Sequence, residues 1–203
     1  MSKQGMVQHQ ERYVKEILKR FRMDDSIPAS SPVEPNVKLE KNGEEDKVDV
    51  TLFKQIVGSL RYICNSRPDI GFTVRLVSRY MSEPKVSHMK AARIILRYLK
   101  GSIECRILFR RNFEDKEARV TYFLHVDWCG DKEDRRSTTG YFFQVFGAPI
   151  SWCSKKQHVV ALSSCEAKYI EGSYVACQAI WIRLELEEME VKVKKPLVLQ
   201  IDN

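Results

Sequence analysis

The sequence predicts an α/β (α+β) chain: a helical segment followed by a mixed sheet with one long helix. Three observations carry this. Apolar residues repeat at intervals of three and four through the first half, and short glycine-bounded runs rich in β-branched and aromatic residues follow from about residue 104. A single long helical pattern from about Ser164 to Met189 closes the second half. Composition agrees with a folded chain, since 43% of the 203 residues are hydrophobic, 30% charged and 10% aromatic. That length allows one large domain or two small ones. Lys and Arg number 34 against 27 Asp and Glu, a net charge of +7, which favours anionic partners such as nucleic acid. The tilt is mild because both signs are interspersed.

Residues 8 to 23 read as an amphipathic helix: Tyr13, Ile17 and Phe21 repeat at four, and Lys15, Lys19 and Arg20 face away. A first unit is therefore assigned to residues 1–25. Pro28, Pro32, Pro35 and the acidic Glu44-Glu45-Asp46 mark residues 26–50 as a linker. Residues 51–101 form a helical unit of three segments. The first carries Phe53, Ile56, Val57, Leu60 and Ile63 and breaks at Arg67-Pro68; the second runs through Val74 and Val77 to Pro84. The third has Ser87 as its expected cap and stops at Gly101. Residues 102–203 form the sheet unit, with strands expected at 104–109, 120–127, 141–146, 149–153 and 197–201. In the long helix, the stripe Ile170, Tyr174, Cys177, Trp181 and Leu184 is expected to be the buried face.

Several function classes are excluded or disfavoured. No apolar run approaches the roughly 20 residues of a membrane helix, so no membrane partner is expected. The first ten residues contain no apolar signal-peptide core, which predicts synthesis in the cytosol. Cys64, Cys105, Cys129, Cys153, Cys165 and Cys177 form no CxxC pair and read as buried reduced thiols. Cys165 lies near a helix start but has no nearby His in sequence, so no catalytic thiol is assigned. His9, His88 and His158 lack a ligand at metal spacing and read as surface residues, while Trp128, Trp152 and Trp181 read as core. No metal site is expected.

Longer motifs carry a resemblance. Val57-Gly58-Ser59-Leu60-Arg61-Tyr62, Arg67-Pro68-Asp69-Ile70 and Arg97-Tyr98-Leu99-Lys100-Gly101 resemble the segment after the reverse-transcriptase palm in copia-type LTR retrotransposon Pol polyproteins. Val126-Asp127-Trp128-Cys129-Gly130-Asp131, Arg136-Ser137-Thr138-Thr139-Gly140-Tyr141, Ile150 to Gln157 and Ala161 to Ala167 resemble the adjoining ribonuclease H domain. The similarity runs in order through nearly the whole chain. It also extends to secreted RxLR effectors of plant-pathogenic oomycetes. It implies a reverse-transcriptase remnant followed by a truncated ribonuclease H-like domain, ending where the family continues with further helices and a strand.

The family's hydrolysis uses carboxylates on two strands and a helix to hold two divalent metals. The resemblance puts His125 at the first carboxylate position, Lys168 at the helix position and Asp202 at the third. Asp127 shares the face of His125 but lies roughly 6.5 Å further along the strand, and Glu166 points elsewhere on its helix. Ser163-x-x-Glu166 moreover fits a capping box. A lysine adds repulsion at a two-cation site. No enzyme activity and no cofactor are therefore expected, with magnesium or manganese needed only if nuclease activity survives. Lys90, Arg93, Arg97 and Lys100 form a basic stripe suited to weak, non-specific nucleic-acid binding, against the plainer reading of a solvated helix face.

The function expected by resemblance is a non-enzymatic, Pol-derived effector, secreted and delivered to a host cell, where it binds a host protein. The nearest RxLR match is Arg97-Tyr98-Leu99-Lys100, inside an expected helix. The alternatives are a decayed transposon fragment or a residual hybrid nuclease, either of them cytoplasmic or nuclear. The apolar strand 197–201 is expected to self-associate or accept a partner.

Overall fold

Asp49 starts the central helix of the first half by accepting the Thr51 and Leu52 amide protons at 2.8 and 3.1 Å. The computed structural model describes residues 5–34, 39–41, 44–110, 117–131 and 134–194. They divide into two units, Gln8–Ile107 on one side and Met1–Val7 with Leu108–Asn203 on the other. The helical unit holds α1 (Glu11–Arg20), α2 (Val50–Ile63), a 3₁₀ turn (Pro68–Ile70), α3 (Gly71–Ser78) and α4 (Val86–Gly101). Its core holds Val14 and Ile17 of α1, Phe53, Val57 and Leu60 of α2, Val77 of α3, and Ile95 and Leu99 of α4, while Tyr13 and Phe21 of the expected α1 face are only partly buried.

Two local expectations change here. The N-cap of α4 is Lys85, whose amide donates to Nδ1 of His88 at 3.0 Å. Ser87 is instead inside the first turn, where its amide donates to Glu45 Oε2 at 2.7 Å. His88 is completely buried and stacks on Tyr80 with ring centroids 3.8 Å apart, so it is a core histidine and not a surface one.

In the stretch expected as a linker, Ser26 and Ile27 pack along α4. Arg97 Nε donates to the Ile27 carbonyl and Lys100 Nζ to the Ser26 carbonyl, both at 2.6 Å. The Leu39 carbonyl accepts from the Tyr80 hydroxyl at 2.7 Å.

In the other unit, β1 (Gly5–Gln8) pairs with β2 (Ile107–Arg110) in a two-stranded sheet. An antiparallel sheet then runs β3 (Val120–Asp127), β4 (Thr138–Val145) and β5 (Ala148–Lys156) in sequence order. Phe146 and Gly147 both adopt positive φ, at 52° and 75°, so the β4–β5 hairpin turns through them. The register sets His125 against Gly140 and Tyr141 against Cys153. Helix α5 (Ser164–Glu188) covers one sheet face. Beyond it, Val193 makes a parallel bridge to Ala118, with Ala118 N–H donating to the Lys192 carbonyl at 2.6 Å.

The buried row of α5 is Ala167, Glu171, Val175, Ala179, Ile182 and Leu186. The expected row is the other one: Tyr174, Trp181 and Leu184 are 44%, 55% and 48% exposed. Both rows have helical spacing, and the sheet takes the one with small residues because alanines let helix and sheet approach closely. Trp128 is likewise exposed and Trp152 half-buried, so no tryptophan is fully in the core. Nor are the thiols buried: Cys105, Cys165 and Cys177 are exposed, and Cys64, Cys129 and Cys153 are intermediate. Burial and the nearby Asp69 carboxylate push the Cys64 thiol up to about 11, which keeps it protonated.

Candidate functional site

The motif residues of the sheet unit converge on one polar network at the end of β3–β5. Gly130 follows β3 in the turn, where the Asp127 carboxylate takes the space a Cβ would fill. Ser137 is fully buried; its Oγ accepts from Cys129 N–H at 3.3 Å and its carbonyl from Gln157 N–H at 2.8 Å. Gln157 Nε2 donates to Thr139 Oγ1 and to the Ala167 carbonyl, both at 3.0 Å, which ties β4, β5 and the first turn of α5 together. Lys156 pairs with Asp131 and, at 2.7 Å, with Asp134. Partial burial pulls the Asp134 carboxyl upward, but the Lys156 bond and the Arg136 amide outweigh it and hold it below its ordinary value.

The inferred metal positions do not form such a network. His125 and Asp127 are exposed on β3 and alternate with Tyr122 and Leu124, which pack toward α5. By that alternation they lie on the sheet face away from α5. Glu166 turns back to accept the Leu162 amide at 2.6 Å, while its own amide donates to Ser163 Oγ at 3.1 Å. Ser163 thus caps as expected, but Glu166 takes the Leu162 amide and not the Ser163 amide that a full capping box requires. Lys168 is half-buried on α5. Asp202 and the strand 197–201 lie outside the described residues. No group of three or more His, Cys, Asp or Glu side chains that could hold a metal ion occurs among the described residues.

The carboxylate that the structure does bring to the sheet is one that sequence reasoning missed. Glu171 is 2% exposed, and its Oε1 accepts from Gly140 N–H at 3.3 Å. Burial raises its carboxyl to about 7, opposed by hydrogen bonds from the Gly140 and His125 backbone and by the Lys168 charge. The detectable signal was a Glu in the four-residue row Ala167, Glu171, Val175, Ala179.

In the helical unit, the basic stripe is partly engaged. Arg97 and Lys100 hold the Ser26–Ile27 backbone, and Lys90 lies 3.8 Å from Glu34, an exposed pair of little energetic weight. Arg93 is exposed. The Arg67-Pro68-Asp69 and Tyr98 motif residues meet in a lock. The buried Arg67 guanidinium forks onto Asp69 (Nε 2.9 Å, Nη2 2.6 Å) and donates to the Ser102 carbonyl and hydroxyl at 2.8 and 2.7 Å. The Tyr98 hydroxyl adds a bond to Asp69 at 2.9 Å. Burial alone would raise the Asp69 carboxyl, yet these donors hold it below its ordinary value.

A chain whose motifs build an α+β scaffold in this order has counterparts among transposon polyproteins. It is 35% identical over 199 residues to the retrovirus-related Pol polyprotein from transposon RE1 of Arabidopsis thaliana, covering 98% of this chain and 13% of that protein. It is also 35% identical to the Pol polyprotein from transposon TNT 1-94 of Nicotiana tabacum, over 93% of this chain and 14% of that protein. This chain belongs to the copia-type retrotransposon Pol family, and spans about an eighth of the length of these two relatives. A shorter relative is the Secreted RxLR effector protein 161 of Plasmopara viticola, 38% identical over 127 residues, 62% of this chain and 87% of that protein. No family model and no solved structure matches the chain. Among the described residues, no helix is long and apolar enough to cross a membrane.

Proposed function

We propose that this Pol-derived chain acts by binding and not by catalysis, as a secreted effector that engages a host protein. The observation that carries it is the pair His125 and Lys168, which stand where the resemblance calls for metal-binding carboxylates. A lysine at such a position repels the ions that hydrolysis requires. The match over 62% of this chain to a protein named as a secreted RxLR effector supports the effector role. The match to transposon Pol over 98% of the chain favours a second reading, a transposon relic without a role of its own.

Incubation with a labelled RNA–DNA hybrid in magnesium or manganese is expected to give no cleavage. Turnover that disappears with Asp202→Ala would establish a residual nuclease and overturn the reading. Expression in plant leaf cells then separates the other two: an effector alters the cell-death response relative to an empty vector, whereas a relic leaves it unchanged.

A further inference from the structure

Helix α5 covers only part of its sheet. The apolar core it builds takes side chains from β3 and β4 and none from β5. Strand alternation nevertheless turns Thr139 and Tyr141 of β4, with Lys155 and Cys153 opposite them on β5, toward the α5 side, because Phe143 on the same face lies in that core. The result is a cleft of about 360 Å³, with these four residues on its floor and Tyr174 and Cys177 of α5 along its wall. Two amides close its ends. Gln178 Nε2 donates to Ser151 Oγ at 3.3 Å, and Gln157 Nε2 donates to the Ala167 carbonyl at 3.0 Å.

The lining is cationic and aromatic. Among the described residues no carboxylate lines the cleft, while Lys155, Lys156 and His158 do. Lys156 is committed to Asp131 and Asp134. Lys155 is exposed at the mouth with its Nζ 5.8 Å over the Tyr174 ring, and no carboxylate among the described residues pairs with it. Burial holds the Tyr141 phenol above its ordinary value, so it enters the cleft as a neutral hydroxyl.

Gln157 adds an unmet acceptor. It is 3% exposed, and the Ala167 carbonyl and Thr139 Oγ1 both take its Nε2, which fixes the orientation of the amide. Its Oε1 is left buried with no hydrogen-bond partner among the described residues. An unsatisfied buried acceptor costs free energy that an incoming N–H restores.

These features select a ligand by its chemistry. A flat ring suits the two tyrosines, an anionic group suits Lys155, and an N–H on the ring suits Gln157 Oε1. The volume of about 360 Å³ lies at the small end of ligand pockets, which run from roughly 300 to 1,000 Å³. We propose that the cleft between β4, β5 and α5 binds a small aromatic anion bearing an N–H donor, its charged group being a phosphate or a carboxylate. The site is independent of any host protein.

Calorimetric titration of the full chain with adenosine monophosphate and with indole carboxylate tests it. Micromolar binding of at least one is expected, and the tighter of the two identifies the charged group. For that ligand, removing the charge (adenosine or indole) should weaken binding at least about tenfold. Removing the N–H (purine riboside monophosphate or benzothiophene carboxylate) should weaken it by a similar factor. Lys155→Met, at an exposed position, should do the same with the circular dichroism unchanged. Lys90→Met takes an equal charge from the helical unit and should leave binding as it is. No heat from either anion up to millimolar concentration would overturn the site. So would binding that ignores Lys155→Met or falls equally with Lys90→Met, since diffuse attraction to the net charge would then explain it. Equal affinity with and without the N–H would overturn the ligand class by taking Gln157 out of the site.

Discussion

The helical unit and the sheet unit use comparable lengths of chain to opposite ends. In the helical unit the apolar rows of α1 to α4 close on one another, and the buried Arg67 pairs with Asp69 at its edge, with Ser102 and Tyr98 completing the bonds. The sheet unit has a thin core, Phe143, Val145, Val175, Ala179, Ile182, Leu186 and Ala118, covering a single sheet face. It buries the carboxyl of Glu171 inside that core and leaves Trp181, Leu184 and Phe123 exposed. Side chains of the same kinds therefore serve differently. Both units tie their ends with polar networks and expose some large apolar side chains, but only the helical unit encloses its apolar rows between helices, whereas the sheet unit covers one face.

The sharpest way to break this comparison is to open the lock. Arg67→Ala should destabilise the helical unit by about 2–3 kcal/mol, because it takes the charged donor from the Ser102 carbonyl and hydroxyl and the ion-pair partner from the solvent-facing Asp69. Urea unfolding followed by helical circular dichroism measures it. A loss below about 1 kcal/mol would mean that the apolar core alone holds the helices, and the contrast with the sheet unit would shrink to one of core size.

Much of this architecture is legible in the sequence, and the failures share a cause. The span of β3 and the start of α5 follow from local pattern and capping, as Ser163 and Glu166 show. What local pattern cannot decide is which of two equally periodic rows meets the sheet. Ile170-Tyr174-Cys177-Trp181-Leu184 is more apolar, yet Ala167-Glu171-Val175-Ala179 is the row that packs, because helix–sheet distance is set by small side chains and not by hydropathy. His88 was misplaced for a related reason. A lone His in a helical pattern carries no sign of the Tyr80 ring that stacks on it from eight residues away. The candidate site divides the same way: the identities at 125 and 168 are readable directly, but the proximity of Glu171 to Gly140 requires the fold.

The buried carboxyl of Glu171 gives the sheet unit a pH response that the helical lock does not share. Its folded value, about 7, lies above the ordinary 4.5. The stabilisation is therefore complete below about 4.5 and is lost as pH rises through 7, when the carboxyl must ionise inside the core. Glu171→Gln keeps an acceptor for Gly140 N–H without the charge. Thermal melts at pH 5 and pH 8 should show the wild type weaker at the higher pH, by on the order of 2 kcal/mol, and the variant nearly level. The Arg67–Asp69 lock works in the other sense, since Asp69 loses its stabilisation only as pH falls through its lowered value. Equal pH slopes for wild type and Glu171→Gln would remove the carboxyl from the account.

The smallest expected effect lies at the start of α5, and it separates scaffold from chemistry. If the Ser163–Glu166 motif is there to begin a helix, its worth is that of a cap. Ser163 Oγ takes the Glu166 amide, and Glu166 takes the Leu162 amide, so two otherwise orphaned donors are satisfied at an exposed position. Ser163→Ala removes one of them and should cost about 1 kcal/mol, while Ser163→Asp, which caps as well and complements the helix dipole, should cost nothing. If Glu166 instead served a metal, Ser163→Asp would add a carboxylate beside it and make the melting temperature depend on magnesium or manganese. Melts of the two variants with and without the metal distinguish these roles. A stability ladder of wild type, Asp and Ala that ignores metal assigns the motif to folding.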